Sequence, residues 1–129
     1  MCRFSYYADQ SGRCDIRETY DGGSKKLRAQ FLSKLKILAQ LPRSEWHDVY
    51  FKNLSGLCDG LSEIRFKADG VQQRPLGFHV STTEFVILFW ATEKGNKFVP
   101  LSACEKAHAR KLEIQTGTSK AHALWLALE

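Results

Sequence analysis

Residues 84–91, EFVILFWA, constrain this chain more than any other stretch. On an extended backbone Val86, Leu88 and Trp90 fall on one side and Phe85, Ile87 and Phe89 on the other, so a strand here must be covered on both faces. We therefore expect it at the centre of a sheet. The run is far too short for a membrane helix, which needs about 20 apolar residues. With 129 residues, 43% of them hydrophobic, the chain can supply that cover from one core, and a single domain spanning 1–129 is expected.

The preceding residues read as a hairpin. In 61–67, Ser62, Ile64 and Phe66 alternate with Glu63, Arg65 and Lys67, which puts Arg65 on a polar face. Ala68-Asp69-Gly70-Val71 is a type I′ turn signal, so 72–80 should return antiparallel. Pro75 cannot donate to a ladder and implies an edge position or a bulge near Arg74. After the central strand, 92–99 reads as a flexible loop carrying Lys94, Gly95 and Lys97 over one end of the sheet.

Flanking segments supply the helices. Aromatic residues Phe4, Tyr6 and Tyr7 suit a short first strand, and Ile16 and Tyr20 share a face of a short helix over 13–21. Ser24 can cap a stronger helix over 25–41, with Leu27, Phe31, Leu35 and Leu38 at helical spacing and Pro42 at its end. Lys34 projects close to that stripe and must either snorkel past it or meet an acidic group. Residues 43–59 mix Trp46 and Phe51 with Asn53, Ser55 and Gly56 and read as a packed loop; Lys52 in it could reach a ligand or face water. A capping box at Ser102 and Glu105 starts a helix that Gly117 stops, and 117–129 reads as a short helical extension.

The net charge of +5 favours polyanionic partners. Cys2, Cys14, Cys58 and Cys104 form no CxxC pair and have no histidine at ligand spacing among His47, His79, His108 and His122, which argues against a metal. With no signal-like apolar run at its start, the chain is expected to be cytoplasmic with free thiols and no membrane contact. No paired carboxylates, phosphate-cradling glycine loop or nucleophile motif is visible. What remains is a set of cations near one end of a sheet, able to hold phosphates and to stabilise charge on them.

Five stretches, RCDIR (13–17), LSEIRFKADG (61–70), QRPLG (73–77), ATEKGNKFVP (91–100) and the alanine-rich helix after it, together resemble the RelE/HigB superfamily of small toxins, in its phage-derived HigB-like branch. The resemblance implies an α+β RelE-like domain with an antiparallel-rich sheet of about four strands, two N-terminal helices and a C-terminal helix. It also implies the toxin of a type II toxin–antitoxin pair, a ribosome-dependent mRNA endoribonuclease in which the RNA's 2′-hydroxyl attacks the adjacent phosphate without a metal or other cofactor. Its partners would be a helix-turn-helix (HigA-like) antitoxin, the ribosome and mRNA. By position, Arg65, Arg74 and Lys94 match the family's catalytic cations, with Lys52, Lys67 and Lys97 as RNA-binding residues. Arg65→Ala or Arg74→Ala is accordingly expected to abolish toxicity and leave the fold intact. Gln73 replaces a tyrosine and Glu93 a lysine found in many relatives, and the general acid and base stay unassigned; His79 and His108 read better as packed or surface groups. The alternatives are a ParE-like toxin that binds DNA gyrase and is no nuclease, or an inactive phage-derived binding protein.

Overall fold

In the computed structural model, which describes residues 2–46 and 49–128, the apolar run is the middle of a long strand, Glu84–Lys94. His47 lies outside the described residues. In chain order the elements are β1 (Arg3–Tyr7), α1 (Asp15–Asp21), α2 (Lys25–Gln40), β2 (Phe51–Asn53), β3 (Ser62–Ile64), β4 (Phe66–Ala68), β5 (Val71–Ser81), β6 (Glu84–Lys94), β7 (Lys97–Val99), α3 (Ala103–Thr116) and β8 (Ala121–Ala123). The fold is α+β. Strands run in the order β2-β3-β5-β6-β1-β8, with β4 also on β5 and β7 also on β6. The β1–β6 pair is parallel, and the other pairs among the described residues are antiparallel.

Helices cover β6 from both sides, as its two apolar faces require. Phe31, Leu35 and Leu38 of α2 are buried, each contributing about 2 kcal/mol by leaving water, and the Phe31 ring centroid lies 4.6 Å from that of Trp90, tilted by 35°. Ser24 Oγ accepts from the Leu27 N–H and donates to Asp69, fastening the start of α2 to the β4–β5 turn. Helix α3 covers the opposite face with Ala103, Cys104 and Ala107 buried and Arg110 over Phe89. The Arg110 guanidinium also grips both oxygens of Asp15, at 2.8 and 2.7 Å, tying α3 to α1.

The sheet has eight strands rather than about four, and five of the additional or divided ones are only three residues long. Three-residue strands carry no readable periodicity. One of them, β2, lies in the region expected to be a packed loop. Another, β7, turns the expected loop at 92–99 into a hairpin through Gly95 and Asn96, both at positive φ (57° and 62°), the geometry of a type I′ turn. The expected helical extension at the C-terminus is instead β8 followed by irregular chain, because the open edge of β1 offers Ser5, Tyr6 and Tyr7 a ladder with Ala123, His122 and Ala121.

The expected strand at 61–67 is split into β3 and β4 without loss of register, since Ser62↔Gly77 and Phe66↔Gln73 belong to one alignment. The gap falls opposite Arg74 and Pro75, where proline has no N–H to contribute. Pro75 is thus interior rather than at an edge, and the register shift of β5 lies one step further on, at Leu76/Gly77. Ser102 does not cap α3 with its side chain; its φ of −81° and ψ of 9° leave the extended region from which a cap hydroxyl reaches forward. Two of the four thiols are not free: Cys58 and Cys104, 46 residues apart, are disulfide-bonded, a pairing without a local motif, while Cys2 and Cys14 stay reduced. Among the described residues no helix is long and apolar enough to cross a membrane.

Candidate functional site

Cross-strand partners share a face of a sheet, so the ladders place Lys52 beside Glu63 and Lys67 beside Gln72 and Glu93, and carry Arg65 and Arg74 to the same side. The alternation in 61–67 therefore does locate Arg65 on a polar face. The interruption between β3 and β4 opens that face at the sheet edge, and the Arg65 N–H holds the gap's rim by donating to the Tyr50 carbonyl at 2.7 Å.

Beside this rim lies a cleft of about 500 Å³ lined by Gln30, Lys34, Val49, Tyr50, Arg65, Phe66, Lys67, Gln72 and Arg74. Four cationic side chains thus meet at one opening, and among the described residues no carboxylate lines it. The sequence marks Lys34 only by its closeness to the apolar stripe; its ammonium stands 4.6 Å above the Tyr50 ring, and among the described residues it meets no acid.

The two arginines differ sharply. Arg65 is 31% exposed and its Nε pairs with Glu63 Oε2 at 3.0 Å. Arg74 is 4% exposed, and its Nε stands 3.3 Å from both Glu63 Oε2 and Glu93 Oε1. Its remaining nitrogens donate to the Gln73 carbonyl and to Gln72 Oε1. The expected bulge does not re-aim Arg74 outward; its charge is spent on two carboxylates beneath the cleft. Burial raises the pKa of Glu63, against the pull of Arg74 and Arg65, which favour its charged form.

The other expected site residues are not gathered here. Lys52 is exposed on β2, next to Glu63 in the ladder but outside the cleft lining. Lys94 and Lys97 face each other across the last pair of the β6–β7 hairpin, and Lys94, one residue past Glu93, belongs to the opposite side of the strand. Neither histidine considered for proton transfer lines the cleft. His79 packs against Trp46, Phe51 and Phe85, where burial and then Arg43 hold its pKa down to about 4. His108 Nε2 stands 2.9 Å from the Leu57 carbonyl. Among the described residues no group of three metal-ligating side chains stands together.

Compared with protein-family models, with curated proteins and with solved structures, the chain matches none. The residues themselves must carry the reading of the site.

Proposed function

We propose that the cleft binds the phosphates of single-stranded RNA, and that the protein is the toxin of a type II toxin–antitoxin system cutting mRNA on the ribosome. The observation that carries this reading is the meeting of Lys34, Arg65, Lys67 and Arg74 at one cleft. Arg65 and Lys67 would grip a phosphate and stabilise the charge that builds on it as the neighbouring 2′-hydroxyl attacks, giving a cyclic phosphate and a free 5′-hydroxyl. Arg74 would act at one remove, as the counter-ion that keeps Glu63 and Glu93 beneath the cleft. Lys52, Lys94 and Lys97 are left for contacts outside the cleft, with RNA or ribosome. A cytoplasmic setting and a helix-turn-helix antitoxin belong to the same proposal.

One observation favours a second reading. Arg74 is held inward by two carboxylates, which removes a preorganised cation from the chemistry and leaves a ParE-like, gyrase-binding toxin as the competitor. Induced expression separates the two. Codon-phased mRNA cuts that vanish when translation is blocked, and that Arg65→Ala lowers by about a hundredfold or more, are expected for the nuclease. DNA damage with intact mRNA would overturn it in favour of gyrase.

A further inference from the structure

We infer that Tyr50 is a stacking platform for one unpaired base of the RNA whose phosphates occupy the cleft, so that the ligand is single-stranded RNA and not phosphate or a duplex. This rests on the reading of the cleft as a phosphate site. Three features carry it. Tyr50 lines the cleft along with Phe66, and it is the Tyr50 ring that has one face covered by the Lys34 ammonium, at 4.6 Å. An ammonium on a flexible stem can leave that face for a phosphate, and a base can take its place at little cost, since both are drawn to the π-face. Second, the main chain that carries the ring is tied to the main chain that carries the phosphate clamp, because the Tyr50 carbonyl accepts the Arg65 N–H at 2.7 Å. Base platform and phosphate grip are thereby joined backbone to backbone. Third, Gln30 stands on the facing helix in the same lining and offers both a donor and an acceptor to a base edge. A site for phosphate alone would need neither the ring nor the amide.

The whole protein is titrated at fixed salt with a fluorescent RNA oligomer and with an abasic phosphodiester of equal length, and the RNA titration is repeated with an internal 2-aminopurine, whose emission falls on stacking. Wild type should bind the RNA more tightly than the abasic chain. Tyr50→Leu, which keeps an apolar side chain at the position, should lose about tenfold or more for RNA with no change for the abasic chain, and Tyr50→Phe should behave as wild type. Lys67→Ala should weaken both ligands alike. If wild type binds both ligands equally and Tyr50→Leu changes neither, the stacking role is overturned while the phosphate site stands. If wild type binds neither ligand, the RNA reading itself falls and the stacking role with it.

Discussion

Arg74 Nε lies 3.3 Å from Glu63 Oε2, and each side chain is 4% exposed. A charge so placed has lost its hydration and depends on its partner. Truncating one member of a buried pair leaves the other uncompensated, at a cost of about 3 to 5 kcal/mol. Arg74→Ala should therefore lower the urea midpoint strongly, contrary to the expectation that it would leave the fold intact. Arg65→Ala, on a side chain 31% exposed, should cost less, since Arg74 still faces Glu63 once Arg65 is gone. Equilibrium unfolding of the two variants checks the contrast, and it makes Arg65 the cleaner probe of function.

Gly77 sits at the register shift of β5, where its missing side chain lets two strands close. A Cβ there would run into the Val86 carbonyl oxygen and stand 2.6 Å from Phe85 Cε2. Neither neighbour can yield, since one is backbone and the other a buried ring. Gly77→Ala should destabilise by about 3 kcal/mol, read as a lower urea midpoint with an unchanged slope. Gly70→Ala tests a different mechanism: nothing lies within 4 Å of its Cβ position, and only the positive φ of 77° resists it, so a smaller loss of about 1 kcal/mol is expected.

These two glycines show what was legible. Asp69 and Gly70 announce their turn locally, and both stand at positive φ, as a type I′ hairpin needs. Gly77 announces nothing, because its constraint comes from Val86 and Phe85 on the next strand. The same division runs through the site. Period two along 61–67 puts Arg65 and Lys67 on the polar face, but the burial of Arg74 depends on Glu63 and Glu93 arriving from two neighbouring strands. Tyr50 and Lys34 meet only once α2 lies against the sheet edge. Ala121–Ala123 reads as part of a helical tail until the open edge of β1 claims it, and Cys58 and Cys104 are joined by the packing of α3 rather than by spacing.

That disulfide closes a loop of 46 residues, and in the chain-entropy view such a link stabilises by about 4 kcal/mol. Helix α3 has further grips on the same turn, through His108 near the Leu57 carbonyl and Lys111 Nζ on the Gly60 carbonyl at 2.8 Å. Reduction should thus lower the denaturation midpoint substantially without dismantling the sheet at rest. Unfolding curves of oxidised protein, reduced protein and Cys58→Ser check this, with the last two expected to coincide.

His79 gives stability a pH dependence of definite sign. Its pKa falls from 6.5 to about 4 because burial, and secondarily Arg43, disfavours the charged ring, and its buried Nε2 has no hydrogen-bond partner among the described residues. The unfolded chain takes up the proton first as pH drops, so the contribution is present above 6.5 and is lost on descent toward about 4, amounting to about 3 kcal/mol. Glu63 acts in the opposite sense, since its raised pKa gives a contribution present below the ordinary carboxyl value of 4.5 and lost as pH climbs through the raised one. His79→Phe keeps a ring among Trp46, Phe51 and Phe85 and removes the titration. The difference in unfolding free energy between variant and wild type should therefore shift toward the variant as pH is lowered from 6.5 to about 4, and a pH-independent difference would show that His79 is not held neutral by its burial.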